Sequence, residues 1–392
     1  MEKNIVLYSW NVPSGGLLQV IYEEFKYFIN RNYDVRVIFY QAIVPEYYKE
    51  IFDEMHPLVL AGSMKSFKPL GFLGKKTNTI GFDAPLDAFY LPLLQTRKGE
   101  RIICHELTSG LTMLPYAALN HGKVAVVIHD SPFSLNEING PLKLIVLSKF
   151  LMKIIKMSVP FFNIVSTNNR IANVLSDNFR TGKVWVVEFG VHKCVNRPPI
   201  RERNEILAVA KWREGRKPEI YIEIAKKLGK EYKFIIAGHW DDKDYLSKIK
   251  NEIDQLNKSS TNLEIKSDLG SNELHDLYHR CKVFIRLGGN GEYGVGQGLL
   301  DAIGHGCPLI IGSKLGGLNE IKDGIHGYKV SEESVDEITS RILNIMRSDD
   351  LSEYFSKNVY ELSNKYSWDE HGDKLVRILF GDDSKLHKVP KE

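Results

Sequence analysis

This sequence has few of the features that mark a membrane, secreted or metal-binding protein. Its 392 residues include only four cysteines, and these lie too far apart for the paired spacing of common zinc sites. No run of eighteen uncharged apolar residues is present to span a bilayer. The charged first residues lead at once into an apolar run, unlike a signal peptide, so we expect an intracellular protein. The cysteines are expected to be reduced thiols, most of them core residues: Cys104, Cys194, Cys281 and Cys307.

A strong net charge is also missing. The formal value of +3 is far from that of a dedicated nucleic-acid-binding protein. Residues 1–193 carry 21 lysines and arginines against 16 acids, which makes the first half the better candidate for binding anionic lipid. Two segments there, 63–77 and 144–159, mix lysines with large apolar residues and suggest peripheral membrane contact. A mobile acceptor loop is the alternative for the first segment, and a buried helix with surface lysines is favoured for the second.

Short apolar strands alternate with helical patterns along most of the chain. Ile5–Tyr8 and Ile206–Ala210 are typical predicted strands, and Leu17–Asn30 and Pro218–Leu228 are typical predicted helices. This alternation predicts parallel sheets that are covered by helices on both faces. The aperiodic, proline-bearing residues 193–205 separate two such sets. We therefore predict an α/β protein of two doubly wound Rossmann-like domains, facing a central cleft where ligands bind at the carboxyl ends of the strands.

The most informative stretch runs from Arg286 to Ile311. Six of the eleven residues from Gly288 to Gly298 are glycine, between a predicted strand and a predicted helix. Glycine allows close backbone approach, and a helix start offers unpaired N–H groups to an anion. Two nearby acids, Glu292 and Asp301, are suited to gripping vicinal hydroxyl groups. Taken alone, a loop chosen for tight packing beside two solvated acids explains the pattern equally well.

This stretch resembles the donor-site signature of retaining glycosyltransferases of family 4, which have the two-domain GT-B fold. Asp301-Ala302 and the Gly306-Cys307-Pro308 turn fit the second half of that signature. The signature contains two glutamates separated by seven residues. Glu292 stands one position earlier than the first of them, and Asp301 replaces the second. Further segments resemble the family in its order: Pro13–Gly16, His129-Asp130, Ala210–Pro218 and Lys314–Tyr328.

The resemblance implies transfer of a sugar from a nucleotide diphospho-sugar to a glycan, lipid-linked or small-molecule hydroxyl, with retention of anomeric configuration. Residues 1–194 would then bind the acceptor and residues 195–365 the nucleotide sugar, while residues 366–392 form a helix that returns to the first domain, plus a tail. The implied catalytic residues are His129, Glu292, Lys211 and Lys217. The implied donor-binding residues are Gly15, Gly16, Arg213, Gly238, Gly294, Gly296, Asp301, Gly316, Gly317 and Glu320. No metal and no cofactor beyond the donor are expected, and the enzyme is expected in the cytoplasm, with possible contact at the inner face of the membrane.

Three alternatives remain open at this stage. The shifted Glu292 register favours a non-catalytic nucleotide-sugar-binding or scaffold protein of the same fold. Hydrolysis by a carboxylate pair is less favoured, because the cations and glycine loops would then have no role. The pair Asp242 and Asp244 superficially resembles a metal-binding Asp-x-Asp motif, but we interpret it as a helix-start cluster.

Overall fold

The chain divides into two compact units. In the computed structural model, the described residues are 3–11, 16–42, 44–60, 90–129, 153–179, 184–288, 295–315 and 319–381. Unit 1 combines Met1–Phe189 with Trp368–Glu392, and unit 2 is Gly190–Ser367. Among the described residues, no helix has both the length and the apolar composition that crossing a bilayer requires.

Unit 1 contains a seven-stranded parallel sheet with the order β3-β2-β1-β4-β5-β6-β7. Its strands are β1 (Asn4–Asn11), β2 (Asp34–Gln41), β3 (Leu58–Val59), β4 (Arg101–His105), β5 (Val124–Ile128), β6 (Asn163–Ser166) and β7 (Val184–Val186). Its helices are α1 (Gly16–Asn30), α2 (Lys49–Glu54), α3 (Leu91–Leu94), α4 (Leu107–Thr112), α5 (Leu114–Leu119), α6 (Asn169–Phe179) and, from the end of the chain, α13 (Trp368–Phe380).

Unit 2 contains a six-stranded parallel sheet with the order β10-β9-β8-β11-β12-β13. Its strands are β8 (Glu205–Val209), β9 (Lys233–Gly238), β10 (Leu263–Ser267), β11 (Cys281–Arg286), β12 (Leu309–Gly312) and β13 (Gly327–Val330). Its helices are α7 (Pro218–Leu228), α8 (Lys243–Ser259), α9 (Ser271–Arg280), α10 (Gln297–Gly304), α11 (Val335–Arg347) and α12 (Asp349–Leu362).

The predicted pair of doubly wound α/β sheets is confirmed. The central strands are buried on both faces, and β5 and β11 have no exposed residue, which is why they read as continuous apolar runs. The alternation did not reveal β3, β10 and β13. These strands are short or partly exposed, and Leu263–Ser267 carries charged side chains that weaken its strand signal.

The last helix belongs to unit 1 and packs on α1. A Cβ atom at Gly372 would lie 2.3 Å from the Tyr27 ring, so only glycine allows this approach. Leu375 joins the apolar core of unit 1, and Arg31 lies 3.2 Å from both Asp369 and Asp373. All four cysteines are buried, free thiols, as predicted.

Candidate functional site

The order in which the chain adds strands to the parallel sheet of unit 2 reverses at β8. The chain passes from β8 to β9 on one side and later to β11 on the other, so the crossovers diverge between β8 and β11. Val209, Gly238 and Arg286 end these three strands at one edge of the sheet. Open α/β sheets bind ligands at this kind of topological switch point. We call this region the strand-end edge of unit 2.

The segment after β8 is fixed by a buried tryptophan. Trp212 is 1% exposed, and its indole N–H donates to the carbonyl of Ala237 at 2.7 Å. Its backbone N–H donates to the carbonyl of His239 at 2.6 Å. This anchoring sets the backbone on both sides of Trp212, where Lys211 is partly exposed and Arg213 is exposed. Lys211 Nζ lies 2.9 Å from an Asp241 carboxylate oxygen.

Lys217 occupies the position just before α7. Its backbone is left-handed, with φ 46° and ψ 60°, which is uncommon for a residue with a side chain. Pro218 follows at the first helical position, where its missing N–H costs no hydrogen bond. The exposed side chain of Lys217 therefore lies beside a helix start with its positive dipole end.

Gly238 has a packing reason to be glycine. Its φ is 125°, and a Cβ atom there would lie 2.0 Å from the Ala210 carbonyl oxygen. The close approach of the ends of β8 and β9 thus requires this residue. A role of its backbone in donor binding stays a prediction.

The residues from Gly296 into α10 form a second helix start at the strand-end edge. The side chain N–H of Gln297 donates to the Asp301 carboxylate at 2.9 Å, one turn along the helix. The other polar atom of that amide, Gln297 Oε1, is buried and has no hydrogen-bond partner among the described residues. A buried unpaired amide oxygen is costly, so this atom is well placed to accept from a ligand.

Sequence reasoning missed both Gln297 and Arg286. The Arg286 side chain is only 5% exposed, and a Cβ atom at Gly296 would lie 3.7 Å from its Nη2 atom. A buried guanidinium therefore sits beside the start of α10. One local feature marks Arg286 in the sequence: it is a basic residue at the end of the buried strand β11.

Glu320 and the residues at the end of β12 contact buried groups of unit 2. The Tyr366 hydroxyl donates to Glu320 Oε2 at 3.2 Å. The buried carboxylate of Glu332 accepts from the backbone N–H of Lys314 at 2.6 Å. A Cβ atom at Gly312 would lie 2.5 Å from the same Glu332 oxygen, so a larger residue here would displace this carboxylate.

Asp242 begins α8. Its Oδ1 accepts from the backbone N–H groups of Asp244 and Tyr245, at 2.8 and 3.0 Å. This is the usual geometry of a helix N-cap. The interpretation of this acidic pair as a helix start is confirmed.

Unit 1 contains a chain of titratable side chains that are fully buried, except for the partly buried His129. Glu24 on α1 lies between two histidines: its Oε2 is 3.1 Å from His105 Nε2, and its Oε1 is 3.0 Å from His371 Nε2. On the far side of His105, its Nδ1 is 3.1 Å from His129 Nε2. The other nitrogen of His371 lies 2.9 Å from the Glu188 carbonyl oxygen. We call Glu24, His105, His129 and His371 the buried histidine chain.

Several polar atoms of this chain lack a well-aligned partner. Glu24 Oε2 and His105 Nε2 lie 3.1 Å apart, but neither makes a well-aligned hydrogen bond with the described residues. The Nδ1 atom of His129 is also buried and has no hydrogen-bond partner among the described residues.

The pKa values follow from burial and from these neighbours. Burial would raise the pKa of Glu24, but the adjacent His105 and His371 outweigh it and lower this pKa to about 2. Burial, followed by the neighbouring His105, lowers the pKa of His129 well below its ordinary value. Glu24 is therefore ionised and His129 neutral near pH 7.

Glu106 directly follows β4 and was also missed. Its φ of 72° with ψ of 153° is a conformation that residues other than glycine rarely adopt. Its backbone N–H donates to the Val127 carbonyl at 2.9 Å, which helps to hold the strained backbone next to His105. Such strain is often found at functional sites.

Comparisons with known proteins agree with this architecture. Residues 196–362, inside unit 2, match the family profile "Glycosyl transferases group 1". A glycosyltransferase from Rickettsia africae ESF-5 is 15% identical with a TM-score of 0.70, over 98% of this chain and 100% of that one. Alr3699/HepE of Anabaena, solved with UDP and glucose, is 12% identical with a TM-score of 0.69, over 96% of this chain and 100% of its own.

A sucrose-phosphate synthase from Thermosynechococcus elongatus is 12% identical with a TM-score of 0.70, over 97% of this chain and 100% of that one. A search of curated protein sequences finds no match to this chain. The chain has the GT-B fold. At these low identities the structural likeness establishes the fold of the chain and nothing finer.

Within this GT-B chain, the predicted site residues fall into three groups. The first lies in unit 2, on segments that follow β8, β9, β11 and β12: Lys211, Arg213, Lys217, Gly238, Gly296, Asp301 and Glu320. The second lies in unit 1, where Gly16 begins α1 after β1 and His129 follows β5. The third lies outside the described residues: Gly15, Glu292, Gly294, Gly316 and Gly317, together with residues 63–77 and most of 144–159.

Proposed function

We propose that this protein transfers a sugar from a nucleotide diphospho-sugar to a hydroxyl group of a glycan or lipid-linked acceptor. The observation that carries the proposal is the strand-end edge of unit 2. There, three cations and two helix starts lie on segments that leave neighbouring strands at the switch point. The family profile over residues 196–362 and the binding of UDP and glucose by the Anabaena neighbour support the same ligand class.

The cations would act on the leaving group. Departure of a nucleoside diphosphate places negative charge on its β-phosphate, and preorganised donors stabilise that charge most in the transition state. Lys211 and Lys217 supply positive charge, and Arg213 supplies a planar fork that matches a phosphate in two hydrogen bonds. The ion pair of Lys211 with Asp241 is partly exposed, so a diphosphate can compete for this ammonium group.

His129 would act on the sugar. The buried histidine chain leaves the Nδ1 atom of His129 buried and without a hydrogen-bond partner among the described residues, and a sugar hydroxyl can pair with such an atom. Since burial keeps the ring neutral, the imidazole would orient the donor sugar rather than supply charge. Asp301 and Gln297 would grip hydroxyl groups of the nucleotide, with the Gln297 Oε1 atom as acceptor.

We further propose that the configuration at the anomeric carbon is retained and that no divalent cation assists the reacting atoms. Retention follows from the resemblance to family 4 glycosyltransferases, in which no protein nucleophile is needed. NMR of the first product formed tests this directly, and an inverted product would contradict it. Addition of Mg²⁺ or Mn²⁺ is expected to leave the initial rate unchanged.

A thermal-shift screen of nucleotide diphospho-sugars tests the donor class. A true donor raises the melting temperature by mass action, by an amount that grows with its concentration above Kd. Matched nucleoside monophosphates and free sugars serve as controls. Mass spectrometry then follows transfer of the selected donor to oligosaccharide and lipid-linked acceptors, and the absence of any stabilising diphosphate ligand would contradict the proposal.

A non-catalytic nucleotide-sugar-binding protein is the second candidate. It is favoured by the early position of Glu292 and by the aspartate at position 301. If this candidate is right, the protein binds the donor but does not consume it over many hours, whichever acceptor is offered. Turnover of bound donor would exclude it.

We also propose peripheral membrane contact in the basic half of the chain. Residues 153–157 expose Lys153 and Lys156 beside Ile154 and Met157, which are 39% and 66% exposed. Basic and apolar side chains on one exposed segment suit an anionic bilayer surface. Co-sedimentation with vesicles of anionic and neutral lipid tests this, and the proposal fails if binding is absent at low salt.

A further inference from the structure

Four potential metal ligands meet in unit 2, and none of them is a residue assigned to sugar transfer. We propose that Cys194, His275, His279 and His305 bind one Zn²⁺ ion. Each offers one ligand atom, and these four atoms all lie within 4.8 Å of one another. This set is one thiol and three imidazoles, and thiolate and imidazole are the ligands that zinc prefers.

The distances suit a tetrahedral site. Cys194 Sγ lies 3.0 Å from His279 Nε2, and His305 Nε2 lies 2.8 Å from His275 Nδ1. Zinc–nitrogen and zinc–sulfur bonds of about 2.0–2.3 Å place ligand atoms about 3.3–3.6 Å apart in a tetrahedron. To admit the ion, the two ligand atoms of each close pair must move apart by roughly half an ångström. Small rotations of the side chains are enough for this movement.

Three separate segments build this cluster. His275 and His279 stand four residues apart on α9, so they share one face of the helix. His305 directly follows α10. Cys194 is brought to it by a backbone hydrogen bond of 3.0 Å from its N–H to the carbonyl of Gly304.

The glycine at that contact is required by the close approach. A Cβ atom at Gly304 would lie 2.3 Å from the His192 carbonyl oxygen. The segment that carries Cys194 is therefore seated directly on the end of α10. This seating fixes the thiol relative to His305 without any contribution from a metal.

The second coordination shell is already in place for His305. Its Nδ1 donates to the Asp301 carbonyl at 2.8 Å, so the proton is on Nδ1 and the lone pair on Nε2 points into the cluster. Metal-binding histidines usually make this kind of hydrogen bond, which fixes the tautomer and the ring orientation. Around these ligands, the Cys194 sulfur accepts from the backbone N–H of Asn196, and the His305 ring stacks on Tyr278 with ring centroids 5.1 Å apart.

A structural role follows from the number and burial of the ligands. Four protein ligands fill a tetrahedral zinc site and leave no position for a substrate. Cys194 and His305 are buried, while His275 is exposed and gives an entry path to the ion. Binding releases the thiol proton of Cys194 to solvent and joins α9, α10 and the first residues of unit 2.

The sequence predicts no metal because its cysteines lack the paired spacing of zinc sites and because the implied sugar transfer needs no metal ion. This site has only one cysteine, and its ligands span more than a hundred residues from Cys194 to His305. No linear motif marks such a cluster. Because the ion would lie outside the groups assigned to the donor, the proposal is independent of the proposed function.

The first experiment is metal analysis of the purified full chain, with any polyhistidine tag removed. We expect about one zinc per chain after dialysis against metal-free buffer. Replacement of zinc by Co²⁺ should give the intense visible absorption of tetrahedral cobalt and a thiolate-to-cobalt charge-transfer band in the near ultraviolet. Cys194→Ser should abolish the charge-transfer band.

Two variants on α9 form the matched pair. His275→Ala removes an exposed ligand and should lower zinc content and lower the melting temperature of the zinc-loaded protein. Asn272→Ala changes an exposed non-ligand on the same helix with a similar gain in helix propensity, and should retain zinc fully. If Cys194→Ser fails to fold, the zinc content of His275→Ala and the cobalt spectrum of the unmodified chain still test the proposed zinc site. Absence of stoichiometric zinc together with no charge-transfer band would overturn the proposal and leave a hydrogen-bonded histidine–cysteine cluster.

Discussion

The candidate histidines of unit 1 depend on a chain of buried neighbours, whereas the three cations that follow β8 in unit 2 are partly or fully exposed. His129 is aligned through His105 by Glu24, whose side chain is fully buried. Lys211 and Arg213 instead flank Trp212, whose buried indole anchors their segment. Changes in unit 1 should therefore affect folding and function together, whereas the cations of unit 2 can be changed with the fold intact.

Glu24→Ala should give the largest effect. It removes the carboxylate between two buried imidazoles and leaves both without their partner, which typically costs about 3–5 kcal/mol. The free energy of unfolding from urea denaturation measures this loss. Glu223→Ala is the control, because Glu223 pairs with Lys226 at the surface, where such pairs contribute about 0–1 kcal/mol. Equal effects of the two substitutions would contradict the assigned role of the buried histidine chain.

Gly238→Ala should come next. Its positive φ and the 2.0 Å approach of a Cβ atom to the Ala210 carbonyl oxygen lead us to expect a loss of about 3 kcal/mol. Gly215→Ala is the matched control, because a Cβ atom there meets no atom within 4 Å. The same urea titration compares the two. A neutral Gly238→Ala would show that the ends of β8 and β9 are less rigid than described.

Lys217→Met should weaken binding without unfolding the chain. Loss of one charged hydrogen bond to the diphosphate costs about 2 kcal/mol, or about 30-fold in donor affinity. Lys230→Met, on the exposed turn after α7, is the control. Calorimetric titration with the donor gives both affinities, and thermal melting of the free proteins verifies that the fold is kept. An unchanged affinity in Lys217→Met would remove this lysine from the site.

The smallest effect concerns pH. Burial keeps His129 neutral in the folded protein, while an unfolded histidine takes up a proton near pH 6.5, so the unfolded state binds more protons below that pH. Stability should therefore fall as pH drops from 7 to 5, by up to about 1.4 kcal/mol per pH unit from this residue. The Glu24 carboxylate, with its pKa lowered to about 2, loses its contribution only at much lower pH.

His129→Gln isolates this contribution. Other buried histidines, such as His326, titrate in both proteins, so their effect cancels in the comparison. The variant should show a shallower fall in unfolding free energy between pH 7 and 5. Parallel pH profiles would indicate that His129 is protonated in the folded protein.

The fold was predictable because its signal is local. Buried parallel strands such as Val124–Ile128 read as apolar runs, and the start of α7 is marked by Pro218. The candidate site residues that sequence reasoning could propose are those that follow a strand in sequence, as Lys211 and His129 do. Glu24 and His105 are 81 residues apart, and the four ligands of the proposed zinc site come from three segments. Their meeting depends on strand order and helix seating, which no local pattern encodes.

The measurement that tests the central claim most directly is calorimetric titration with a nucleoside diphosphate and the matching monophosphate, on the unmodified chain and on the double variant Lys211→Met, Lys217→Met. We expect the unmodified chain to prefer the diphosphate by about tenfold or more, since the proposed site places two cations against the added phosphate group. We expect that preference to disappear in the double variant. Equal affinity for the two nucleotides in the unmodified chain would contradict the claim that unit 2 binds the leaving diphosphate of a sugar donor.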